Sequence, residues 1–166
     1  MRKTLVDWRL SAKIFTAAGL VAAFLTGVIA CDNPVQSPPF ATCELLTAEE
    51  VTRAVGAQFT EGQPFPGEGA PVVIGCPYGS PKGWVTVWAT RENADSEYRH
   101  LRGLPYRQPT EDVSGSGYKA FTYTSGGNIQ DFYAVKGGVY VNVTVGAGAE
   151  PGTARALGEI AVTRIS

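Results

Sequence analysis

Between residues 139 and 145 the chain reads Val-Tyr-Val-Asn-Val-Thr-Val, with four valines on one parity and Tyr140, Asn142 and Thr144 on the other. A period of two over this length predicts a strand whose valine face is buried. The segments before it have the same character and hairpin spacing. Tyr118–Thr124 runs through Ser125-Gly126-Gly127-Asn128 into Ile129–Val135, and Lys136-Gly137-Gly138 then turns into the valine strand. Further upstream, Trp84–Arg91 alternates, with Val85, Val87 and Ala89 opposite Trp84, Thr86, Trp88 and Thr90. Val72–Cys76 is a short apolar run that predicts another strand.

Helical signals frame these strands. Thr47 followed by Glu50 forms a capping box, Leu46 and Val51 can staple it, and Gly56 stops it, so a short helix is expected over 48–55. Asn93 is placed to cap a helix over 94–103 that turns Tyr98 and Leu101 inward. Glu150-Pro151 opens a last helix, in which Ala154, Leu157, Ala161 and Ile165 form a stripe able to cover the valine face. Residues 60–71 read as a surface loop and 105–117 as a polar turn region. Together these predict an α+β fold: a single antiparallel β-sheet with helices packed on one face.

The first residues have a different character. Arg2, Lys3, Arg9 and Lys13 stand against the single acid Asp7, and Ile14 to Ala30 is uncharged. A basic segment, an apolar segment and a small residue at the cut make a secretory leader. Ala30-Cys31 at its end is similar to the lipobox of bacterial lipoproteins, which implies cleavage before Cys31 and fatty chains, such as palmitate, on its sulfur. Two other readings stand beside it: an ordinary secreted protein, and an uncleaved span at the short end of what crosses a bilayer. The lipoprotein reading divides the chain into a signal peptide at 1–30, an extended proline-bearing tether at 31–42 and an extracytoplasmic domain at 43–166. It places the protein on the outer side of the cell membrane, with the bilayer as partner through lipid at Cys31.

Cleavage removes four basic residues and one acid, leaving 10 Lys plus Arg against 14 Asp plus Glu. A mildly acidic surface without a basic cluster argues against nucleic acid. It also leaves two cysteines, Cys43 and Cys76, which an oxidising compartment would join; free buried thiols or a two-ligand metal site are the alternatives. A metal site would need further ligands, and the sole histidine, His100, is remote in sequence. No metal and no cofactor is expected.

Cys43-Glu44-Leu45-Leu46-Thr47-Ala48-Glu49-Glu50-Val51 with Gly56 resembles the opening of the actinobacterial lipoproteins that share domain of unknown function 3558. The second cysteine before a tryptophan-bearing strand (Cys76, then Trp84–Trp88), the glycine-turn hairpin and the alanine-rich closing helix extend the likeness over about 40–166. The resemblance implies an anchored extracytoplasmic domain and transfers no catalytic residue.

Catalytic groupings are not legible. No serine lies in a Gly-x-Ser-x-Gly elbow set between strand and helix. His100 sits in Glu97-Tyr98-Arg99-His100-Leu101-Arg102, the polar side of a helix. Glu49-Glu50 suit the first turn of a helix, and Glu111-Asp112 a solvated loop. No catalytic residue is therefore assigned, and the chain is not expected to be an enzyme, an unrecognised active site around His100 or a purely structural accessory role being the alternatives. What remains is a surface. With the valines turned to the helices, Trp84, Thr86, Trp88, Thr90, Tyr140, Asn142 and Thr144 share the other face, a mixture of rigid aromatics and small hydrogen-bonding groups suited to an envelope protein or a small-molecule ligand. The competing reading has the 57–71 loop, with Phe59 and Phe65, folding over that face as a second small core.

Overall fold

The computed structural model describes residues 42–66, 74–105, 111–115, 117–146 and 148–166. The leader, Cys31 and nearly all of the tether lie outside the described residues. Seven strands form one sheet: β1 (Phe65–Pro66), β2 (Ile74–Ser80), β3 (Gly83–Thr90), β4 (Glu111–Gly115), β5 (Tyr118–Ser125), β6 (Ile129–Lys136) and β7 (Val139–Val145). Their order is β1-β2-β3-β7-β6-β5-β4, and every neighbouring pair is antiparallel. The chain builds β1 to β3, crosses to the opposite edge, and returns through β4 to β7, so β7 closes the sheet against β3. The return between β6 and β7, Gly137-Gly138, has φ of 55° and 73°, the left-handed pair of a type I′ two-residue hairpin.

The α+β class and the single antiparallel sheet are as the sequence predicts. The valine face is the main core: Val85, Val87, Val141, Val143 and Val145 are fully buried against Leu157, Ala161 and Ile165. Helix α1 (Ala48–Val55) and helix α3 (Thr153–Thr163) both belong to this side. Helix α2 (Ala94–Arg102) does not. Its Ala94 and Tyr98 pack with Phe121, Tyr133, Val135 and Tyr140, all on the opposite parity from the main core, so the expectation of helices on one face is corrected for α2. Tyr98 meets Phe121 edge-on at 5.4 Å, Phe121 stacks on Tyr133 at 4.9 Å, and the Arg102 guanidinium lies 5.9 Å from the Phe121 ring while pairing with Asp112. An amphipathic stripe shows that a helix has an inner side, not which side of a two-faced sheet receives it.

Two more segments differ from expectation. The 105–117 region contains β4, an edge strand in which Val113 is the one buried hydrophobic residue, so its sequence carries no alternation to read. Phe59 is buried on the valine side and Phe65 is 53% exposed, so neither of these two phenylalanines supplies a second core over the tryptophan face. Asn93 precedes α2 in a left-handed conformation (φ 53°) and its side chain does not cap the helix.

The opening of the domain is fastened to this frame by several contacts. Cys43 and Cys76 form a disulfide spanning a sequence separation of 33. The Tyr78 hydroxyl donates to the Leu46 carbonyl at 2.6 Å, and burial pushes its pKa up to about 12, so it stays a donor throughout the physiological range. The capping box is present: the Glu50 N–H donates to the Thr47 hydroxyl and the Thr47 N–H to the Glu50 carboxylate, while Gly56 ends α1 at φ 73°. Arg164, just past α3, donates to both Glu50 oxygens at 2.6 and 2.9 Å and to the Leu45 carbonyl at 2.8 Å.

Two outcomes follow. Replacing both Cys43 and Cys76 by Ala should lower stability by about 3–4 kcal/mol in urea denaturation, the chain-entropy value for a loop of this length. The Arg164 hydrogen bond, helped by the Thr47 N–H and opposed by burial, holds the Glu50 carboxyl below its ordinary 4.5. A carboxyl whose folded pKa is depressed stabilises the fold above its unfolded pKa and loses that contribution as pH falls through the folded value. The stability gap between wild type and Glu50→Gln should therefore be constant near neutrality and close progressively below pH 4.5.

Candidate functional site

The sheet register sets the residues of the non-valine face in rungs. Trp88 stands opposite Asn142, which stands opposite Tyr133; in the next rung Thr86 faces Thr144, which faces Asp131, which faces Tyr123. Helix α2 covers the end of this face where Tyr140, Val135 and Phe121 lie. Beside it the sheet is left as two adjoining concavities, of about 620 and 450 Å³, which share Glu97, Tyr140 and Asn142. Asp131 and Thr144 line the larger; Trp88, Thr90 and Glu92 line the smaller.

Five of the seven residues expected on a binding face meet here: Trp88, Thr90, Tyr140, Asn142 and Thr144. Their roles differ. Trp88 is half-buried, and its ring lies against β2, where a Cβ at Gly75 would come within 2.7 Å of it. Thr90 is buried and its hydroxyl accepts the Glu92 N–H at 3.0 Å, which shapes the turn into α2. Tyr140 is a wall, packed with Tyr98 and Tyr133. Trp84 and Thr86 border neither concavity; Trp84 is 42% exposed, with its ring lying over Gly146.

The floor is polar. Asp131 and Asn142 are 7% and 8% exposed. The Thr144 hydroxyl donates to Asp131 Oδ1 at 2.6 Å and lies 3.1 Å from Asn142 Oδ1, and Asn142 Nδ2 donates to the Phe132 carbonyl at 3.4 Å. Asp131 and Tyr133 share the parity of this face, yet β6 is buried on both sides along nearly its whole length. A strand with apolar or aromatic residues in both directions has no visible inner and outer series, and only its pairing with β7 assigns Asp131 to the groove.

A smaller recess of about 250 Å³ lies where α3 begins. Its polar groups hold one another: the Gln130 side-chain amide donates to the Glu150 carbonyl at 2.9 Å, Gln130 Oε1 accepts the Gly152 N–H at 2.9 Å, and Arg155 pairs with Glu111 and Glu159. This is a brace for the start of α3. His100 is exposed on α2, and its ring has no hydrogen-bond or ionic partner among the described residues. Among the described residues no group of three or more His, Cys, Asp or Glu side chains could hold a metal ion, and no helix is long and apolar enough to cross a membrane.

The contact of Trp88 with β2 gives a direct test. Gly75→Ala should displace the ring, changing the near-ultraviolet circular dichroism of the tryptophans and costing about 1–3 kcal/mol. Gly79→Ala, on the same strand where a Cβ meets nothing within 4 Å, should change neither.

No family model and no curated protein matches the chain. Among solved structures it is similar to a GTP-binding regulator from Thermotoga maritima, at 12% identity and a TM-score of 0.41, over 75% of this chain and 88% of that one.

Proposed function

We propose that the protein is a lipid-anchored lipoprotein on the outer side of the cell membrane, and that its domain is a binding module of the cell envelope with the groove beside α2 as its site. The observation that carries this reading is the groove itself: aromatic walls around a floor whose amide and carboxylate are nine-tenths buried. Binding recesses combine apolar walls with a few fixed polar groups in this way. The anchor rests on Ala30-Cys31 behind the basic and apolar leader. A disulfide between Cys43 and Cys76 suits an oxidising compartment, and the short proline-bearing tether would keep the domain near the bilayer. The likeness to the lipoproteins that share domain of unknown function 3558 supports the same address. The mildly acidic surface favours an envelope protein or a small molecule over nucleic acid as partner. An enzyme built on His100 would need an acid and a hydroxyl beside it, and among the described residues the exposed ring on α2 has neither bonded to it.

Expressed in a bacterial host with a lipoprotein pathway, the wild-type chain should partition into detergent and begin, by mass, at an acylated Cys31. Cys31→Ser should move to the aqueous phase; a variant that stays membrane-bound and keeps its first thirty residues would contradict the anchor. For the binding role, an isotope-labelled domain mixed with envelope extract should show amide shifts at Trp88, Asp131 and Asn142. Shifts confined to the α3 recess would contradict the assignment of the site.

A further inference from the structure

We propose that the uncharged aromatic strip formed by β1, β2 and β3 on the non-valine face rests on the headgroup region of the bilayer; this deepens the reading above and rests on its lipid anchor.

Among the described residues two large apolar side chains are exposed, Phe65 at 53% and Trp84 at 42%. The register puts both on one face. Phe65 pairs with Gly75 and Gly75 with Trp88, and paired residues share a face of the sheet. Trp84 lies four positions before Trp88 in β3, so it shares that face too. Two strand spacings and four residues separate Phe65 from Trp84, roughly 16 Å, with half-buried Trp88 at the corner.

The strip is flat because β2 offers it almost no side chain. The β2 residues on this face are Gly75, Pro77 and Gly79. The two indoles settle over glycines: a Cβ at Gly75 would come within 2.7 Å of the Trp88 ring, and one at Gly146 within 2.3 Å of the Trp84 ring. Each ring therefore lies against the backbone instead of standing up from it. No residue of β1 to β3 on this face is charged. The acids of the neighbouring groove, Asp131, Glu92 and Glu97, come from β6 and from the turn and helix beyond β3.

The tether supplies the occupant. Cys43 lies twelve positions after Cys31, so the linking chain spans about 40 Å at full extension. A domain of this length has a radius of gyration of about 14 Å and is roughly 35 Å across. It cannot leave the bilayer by much more than its own width. The tether also ends on a strand that makes the strip: Cys43 Cα lies 5.2 Å from the Cα of Cys76, which stands in β2 between Gly75 and Pro77. Cys76 belongs to the valine side, so the chain arrives on the other face of the same strand, well within reach of the strip.

So few aromatics would hold a free protein to a bilayer only weakly. A lipid at Cys31 raises the effective concentration of the surface to millimolar order, at which a weak contact is populated. Tryptophan suits this interface, with its ring body toward the acyl boundary and its N–H among the headgroups. The chain after Cys31 carries 10 Lys plus Arg against 14 acids, and an uncharged face escapes the repulsion that anionic headgroups exert on the rest. Lys82, exposed two positions before Trp84, favours the same contact. Trp88 also borders the smaller concavity, so docking brings the groove to the membrane surface.

Trp84 and Trp88 are the only tryptophans after Cys31, so indole emission of the processed protein reports this strip alone. The test places the full acylated protein in phosphatidylcholine vesicles containing lipid brominated either near the headgroup or deep in the acyl chain. Shallow bromines should quench about half or more of the emission, and deep bromines much less. Phe65→Asp should leave flotation with the vesicles unchanged and reduce the quenching about twofold or more. Arg53→Asp, on α1 across the sheet, should change neither. A protein that floats with the vesicles but is not quenched overturns the docking and leaves the anchor standing. Shielding from acrylamide that grows with protein density, without quenching by bromolipid, overturns it in favour of a second copy. A processed protein that does not float overturns both.

Discussion

The structure depends on one constraint: strand β7 must serve two unlike environments at once. Val139, Val141, Val143 and Val145 are fully buried against α3 and its neighbours, whereas Tyr140, Asn142 and Thr144, one residue out of step, build the opposite face. Because the side-chain period of a strand is two, a slip of one residue would exchange these sets completely. The pairing of Trp88 with Asn142 and of Asp131 with Thr144 is therefore set by the burial of valines that touch none of those groups. Hydrophobic burial fixes the register, and the register composes the groove.

The second face is divided. Helix α2 lays Tyr98 over Phe121, Tyr133 and Tyr140, and Arg102 ties the helix to β4 through Asp112. The helix is nine residues long, too short to cover the whole sheet, and the part beyond it keeps its polar groups close to open space. A buried amide and carboxylate in a fully packed layer would each need complete hydrogen bonding. Here Thr144 bridges the two, the Phe132 carbonyl takes the amide N–H, and both line an open groove. Thr90, the last residue of β3, accepts the N–H of Glu92 in the turn that leads into α2, so the start of the helix and the rim of the groove are one construction.

Much of this was legible beforehand, and the exceptions have physical causes. Strand β7 and the α3 stripe announce themselves because their apolar residues recur with a strict period, and α1 because its capping box is a local sequence signal. The disulfide followed from cysteine number once Cys31 was set aside. Strand β4 was missed because Glu111, Asp112 and Ser114 are edge-strand polar residues around a single valine. The side chosen by α2 was not readable, since either face of a two-sided sheet satisfies Tyr98 and Leu101. Trp88, Tyr140, Asn142 and Thr144 were found from alternation alone. Asp131 was not, because β6 is dry on both sides and the adjacent polar pair Gln130-Asp131 points one residue to each face, leaving no periodic label. Glu97 and Glu92 reach the groove only through the placement of α2, which is a tertiary event.

Neighbouring positions in β7 offer the most direct measurement of whether the strand is divided as described. Equilibrium urea unfolding of Val143→Asn and Asn142→Val compares a polar group forced into the valine core with an apolar one placed on the groove floor. The account predicts a loss of about 3 kcal/mol or more for Val143→Asn, from an unpaired buried amide and lost packing, and a change within about 1 kcal/mol for Asn142→Val. Equal losses, or the larger loss at Asn142, would contradict it.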